Sequence, residues 1–92
     1  MRSVKELQAI EQELSDKIWY NRKLNMLDNI MRRREKMPPE DIMDDMTAGM
    51  RECEEKYGVN NLIFDDFEWG MINGKLSAIR WVLGEEWDML DT

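Results

Sequence analysis

No histidine occurs anywhere in the 92 residues. Its absence removes the commonest general base and the commonest metal ligand, so neither a Ser–His nor a Cys–His nucleophile can be assembled. The one cysteine, Cys53, can form no internal disulfide and cannot build a zinc site by itself. Stability therefore does not depend on an oxidising compartment. No apolar run approaches the roughly 18 residues needed to span a bilayer. The opening Met1-Arg2-Ser3-Val4-Lys5-Glu6 turns amphipathic at once and has no apolar signal core. A cytoplasmic protein without membrane contact is expected. Basic charge is also scarce, with 13 Lys plus Arg against 20 Asp plus Glu and a formal net charge of −7. That balance opposes nucleic-acid binding, whose affinity comes mainly from cationic contacts to phosphate. It would favour a basic protein partner if there is one.

What is present reads as one helical domain over residues 1–92, with no strand pattern and no internal repeat. Hydrophobic residues make up 42% and charged residues 36%, the range of globular chains. A domain this small buries a modest share of its surface, and self-association is a common way to cover the rest. Ser3 and Glu6 have the spacing of a capping box. No Gly or Pro follows until Pro38-Pro39, so a long first helix is expected from about Val4 to about Lys36. Its basic end, Arg32-Arg33-Arg34 with Lys36, suits a solvated helix C-terminus. Pro39 suits the first turn of a second helix, along which Ile42, Met46, Met50, Cys53 and Tyr57 recur, with Gly58 as its C-terminal cap. Asp65 or Asp66 then caps a third helix that runs to about Leu83. Gly84 reads as a break before a short C-terminal helical turn, with Trp87 and Leu90 docking on the core. The fold class is all-α, a three-helix arrangement.

Two helices carry apolar residues on two faces. At about 100° per residue, Leu7, Ile10, Leu14 and Ile18 share one side of the first helix. Tyr20, Leu24, Leu27, Ile30 and Met31 lie on nearly the opposite side. With no Pro or Gly to kink the helix, the favoured expectation is that one half packs within the subunit and the other against a second subunit. On the third helix, Ile72, Leu76, Ile79 and Leu83 line one face, with Trp69 at its edge. Phe67, Gly70, Gly74, Ser77, Ala78 and Trp81 line the other. A helix apolar on two sides is expected to be buried between neighbours. Each of the two glycines costs about 1 kcal/mol of helix propensity relative to Ala. Close packing, first of all within the subunit, is the expected reason. The nine methionines read mainly as core filling, except Met26 and Met43, which fall off the main stripes.

The chemistry that remains belongs to carboxylates. Glu52-x-x-Glu55 and Glu85-x-x-Asp88 place acids one helical turn apart and superficially resemble the magnesium-binding pairs of the all-helical nucleotide pyrophosphohydrolases. In a chain with 20 acids in 92 residues, chance alone supplies roughly four such pairs against the six present, so two of them are no evidence of a site. A magnesium-dependent hydrolase of this kind is therefore an alternative reading, and an acidic inhibitor of a basic partner is another. The polar and aromatic residues of the third helix and tail make the better recognition candidates: Glu68, Trp69, Asn73, Lys75, Arg80, Trp81 and Trp87. Arg80 could reach Glu85, Glu86 or the C-terminal carboxylate. No catalytic residue and no cofactor is expected. The leading expectation is a homo-oligomeric interaction or structural module.

The segment Asp65 to Thr92 reads DDFEWGMINGKLSAIRWVLGEEWDMLDT. It resembles the C-terminal signature of a family of small uncharacterised prokaryotic proteins, notably archaeal ones, with Gly74 to Thr92 as the specific part. The resemblance covers about a third of the chain. It implies a helical fold and an archaeal or bacterial source, and carries no activity, cofactor or catalytic residue with it.

Overall fold

The computed structural model describes residues 1–87. Three α-helices account for most of them: α1 (Val4–Met31), α2 (Glu40–Tyr57) and α3 (Asp66–Val82), with a 3-10 turn at Val59–Asn61 between the last two. No strand occurs among the described residues.

The helix boundaries have local causes. At the start of α1, Ser3 Oγ accepts the Glu6 N–H at 3.1 Å, and the Glu6 carboxylate accepts the Ser3 N–H at 3.3 Å. That backbone N–H, more than any other group, holds the Glu6 carboxyl below its ordinary pKa. At its other end α1 stops at Met31, short of the expected Lys36. Arg34 N–H returns to the Asn29 carbonyl at 2.8 Å and Arg33 N–H to the Ile30 carbonyl at 3.1 Å. This pair of bonds is a Schellman closure, and it requires Arg33 in the left-handed region, at φ 60°. A side chain there costs about 1–2 kcal/mol, so no glycine marks the stop.

Two acids open α2, Glu40 and Asp41, and Lys56 lies in its last turn, each of favourable sign for the helix dipole. The Asn61 amide then donates to the carbonyl of Tyr57 at 2.8 Å. A second capping box opens α3, with Asp65 accepting the Glu68 N–H at 2.8 Å and Glu68 accepting the Asp65 N–H at 3.1 Å. It closes with the same Schellman pair as α1, but here Gly84 takes the positive φ, 110°. Residues 85–87 beyond it are not helical. The rest of the expected C-terminal turn, with Leu90, lies outside the described residues.

The chain divides into two compact units. One joins Met1–Ile18 to the chain from Phe64 onward, and the other is Trp19–Ile63. In the first, Ile18, Ile72 and Leu76 are buried together, with Leu14, Phe64 and Trp69 against them. In the second, Tyr20, Met46, Met50, Cys53 and Leu62 form the core, flanked by Trp19, Met26, Leu27, Met43 and Tyr57. Thus α2 of the same chain covers Tyr20 and Leu27 of the second α1 stripe, while Leu24 and Met31 of that stripe stay exposed, at 37% and 84%. The regular Met46–Met50–Cys53 stripe required an apolar cover of its own, and the two satisfy each other. Met26 and Met43, set apart by the sequence pattern, join this core as partly buried side chains.

The expectation of a third helix buried on two sides needs correction. Only Ile72 and Leu76 of α3 are buried, while Phe67 is 75% exposed and Trp81 54%. Among the described residues one face of α3 is covered and the other is open.

The glycine with a packing reason inside the chain is Gly49 of α2. A Cβ there would stand 2.8 Å from the end of the Trp19 indole. Gly49→Ala gains about 1 kcal/mol of helix propensity and meets an overpacking cost of about 1–3 kcal/mol. In urea titrations it should therefore fail to stabilise the native chain, yet should stabilise a Trp19→Ala background by about 1 kcal/mol. Equal stabilisation in both backgrounds would show that the indole does not define the site.

Candidate functional site

The recognition candidates of α3 do not converge on one point. Glu68 belongs to the capping box, which accounts for an acid at that position. Trp69 is half-buried against Ile18, Ile72 and Leu76 and acts as a core residue. Asn73 donates through its side-chain amide to the carbonyl of Trp69 at 2.8 Å, one turn back along α3. Lys75 is exposed and Arg80 half-buried. Neither makes an ion pair among the described residues, so the expected link from Arg80 to Glu85 or Glu86 is not formed.

Trp87 also departs from expectation. Gly84 turns the chain, and Trp87 lies edge-on to Trp81 with ring centroids 5.5 Å apart and planes at 77°. It is 62% exposed, so it extends the outer aromatic surface and does not dock on the core. Phe67, Gly70, Gly74, Ala78 and Trp81 occupy the side of α3 opposite Ile72 and Leu76, with Met71 and Val82 at its edge. Val82 is 57% and Met71 44% exposed, and no charged residue falls among these positions. A Cβ built at Gly70 or Gly74 would meet nothing within 4 Å. Among the described residues the intrasubunit contact expected to explain these two glycines is absent.

A groove of about 260 Å³ lies beside α3, where Leu14, Phe64, Met71 and Ile72 form an apolar floor. Its polar rim is already engaged in part, because Glu13 holds Lys17 at 3.2 Å and Glu68 caps its own helix. The acid pairs offer little for a metal. Glu52 and Glu55 are exposed on α2, and Glu85 follows the end of α3. Asp88 lies outside the described residues. Among the described residues no three His, Cys, Asp or Glu side chains gather closely enough to hold an ion. No helix of the described chain is long and apolar enough to cross a membrane. Family models, curated proteins and solved structures give no match to this chain.

Two polar contacts were not apparent from the sequence pattern, because their residues read there as parts of a stripe or of the acid surplus. The Tyr20 hydroxyl, on a side chain only 3% exposed, donates to the Glu54 carboxylate at 2.6 Å. The Asn21 side-chain amide donates to the carbonyl of buried Leu62 at 2.7 Å and fixes the link that follows α2. Burial first, and the Glu54 carboxylate second, push the Tyr20 phenol up to about 12 from an ordinary value of 10. A pKa raised in the folded state gives stability that is complete below pH 10 and lost as pH rises toward 12. The loss across that window is roughly 2–3 kcal/mol, at about 1.4 kcal/mol per unit. Alkaline denaturation should therefore begin above pH 10. Tyr20→Phe should remove that dependence and cost about 1 kcal/mol at neutral pH. Phenolate absorbance that rises fully near pH 10 in the folded protein would contradict this.

Proposed function

We propose that the protein is a small helical interaction module that self-associates through the open face of α3. The observation that carries the reading is the uncharged, solvent-facing surface of Phe67, Met71, Trp81 and Val82, extended by Trp87. Exposed apolar side chains scattered singly are ordinary, but a contiguous uncharged patch marks an interaction surface. Aromatic and methionine side chains are also the types enriched at the core of interfaces. The inner face of α3 supports the reading by contrast, since Ile72 and Leu76 there are buried against Ile18 within the same unit. Gly70 and Gly74 add a second support. They cost helix propensity without relieving any contact among the described residues, which fits a backbone that another helix approaches closely.

The glycines separate folding from association. Gly70→Ala and Gly74→Ala should each raise the stability of the dissociated chain by up to about 1 kcal/mol, because no neighbour resists the added methyl group. The same substitutions should weaken association, since the methyl group intrudes where a second backbone would lie. Sedimentation equilibrium from low to high micromolar concentration, with thermal melts at the lowest concentration, reads both effects. A native protein that stays monomeric throughout would overturn the proposal. So would alanine variants that associate as tightly as the native chain.

A further inference from the structure

The charges that border the open face of α3 indicate how two copies would meet. At 100° per residue, Asp66 adjoins it on one side with Arg80 beyond, toward the inner face, and Lys75 adjoins it on the other with Glu68 beyond. On both sides the acid lies toward the N-terminus of the helix and the base toward the C-terminus. A parallel pair of α3 helices would set acid beside acid and base beside base along each border. An antiparallel pair reverses one helix and sets each acid against a base.

We infer that the open face of α3 is completed by a second copy of the same chain in antiparallel orientation, with the two-fold axis passing between Gly70 and Gly74. This rests on the self-association reading above and specifies its partner and geometry. In that register Gly70 of each copy lies level with Gly74 of the other, and the two backbones meet where no side chain intervenes. Phe67 comes level with Ser77 and next to Ala78, so a large ring faces small residues. Glu68 stands within about 2 Å of axial rise of the opposing Lys75, and Asp66 within about 3 Å of the opposing Arg80, at 1.5 Å per residue. Each border thus gains two symmetry-related ion pairs. Such an isologous contact uses one patch on both copies and closes on itself. Neither Lys75 nor Arg80 makes an ion pair within the described chain, so both bases can serve the partner.

The test uses the full chain and two charge reversals. Asp66→Lys and Arg80→Glu should each weaken self-association about tenfold, because like charges then face each other at two symmetric positions. An equimolar mixture should recover native-like association. The mixed dimer pairs the new lysine with the new glutamate and retains one native Asp66–Arg80 pair. Far-UV circular dichroism at low concentration checks that each variant keeps its helices.

A second measurement does not depend on those variants. A spin label attached at position 85, through Glu85→Cys in a Cys53→Ala chain, lies just past α3 and outside its open face. It should report a separation between copies of about 30 Å or more, since the two C-terminal ends of α3 then lie at opposite ends of the pair. A parallel pair would bring the labels well under 20 Å apart. Dimers whose mixtures show no recovery, or whose labels lie close together, would overturn the antiparallel arrangement while leaving self-association standing. A native chain that never dimerises would overturn both.

Discussion

A continuous helix with apolar side chains on two faces needs two covers, and the rest of this structure follows from that need. Averaged over its 28 residues, α1 has almost no preferred apolar side, because its two halves point their stripes differently. Leu14 and Ile18 are covered by α3, and Tyr20 and Leu27 by α2. Two small cores result in place of one, each built from half of α1 and one further helix. Neither is large, and this is why specific polar contacts matter. The Tyr20–Glu54 and Asn21–Leu62 hydrogen bonds satisfy groups that would be costly to bury unpaired.

The same arithmetic applied to α3 leaves a remainder. This helix also carries apolar side chains on two faces, but the described chain supplies only one cover. Its inner face holds Ile72 and Leu76, 6% and 1% exposed, while its outer face keeps Phe67 and Trp81 largely in solvent. An acidic chain with 36% charged residues has ample means to place charge on that face, and none is there. Function and fold thus meet at one element. One side of α3 closes a core, and the other carries the face proposed above to meet a second copy.

Much of the fold was legible in local chemistry. The Ser3/Glu6 box, an aspartate at 65 or 66, Pro39, Gly58 and Gly84 mark helix ends through capping bonds and φ values that few other residues supply as easily. The reciprocal bond of Glu68 emerged only in the structure. The end of α1 was not legible, because an arginine takes the left-handed position that Gly84 takes in α3. Which apolar stripes are covered within the chain was not legible either. Periodicity identifies a face that avoids water but does not name what covers it. The glycines show the same limit. Gly49, Gly70 and Gly74 look alike as mid-helix glycines, yet a Cβ would collide with Trp19 at the first and meet open space at the other two. Among the candidate site residues, Trp81 and Trp87 belong to the outer surface, whereas Glu68, Trp69 and Asn73 have capping and packing roles of their own.

Backbone amide exchange, followed residue by residue as protein concentration is raised, tests the central claim most directly. If α3 is covered by another copy, protection should rise with concentration across Phe67–Val82 and stay unchanged across Glu40–Tyr57, whose apolar stripe is already covered within the chain. Protection of α3 that does not change with concentration, or a rise confined to α2, would contradict the account.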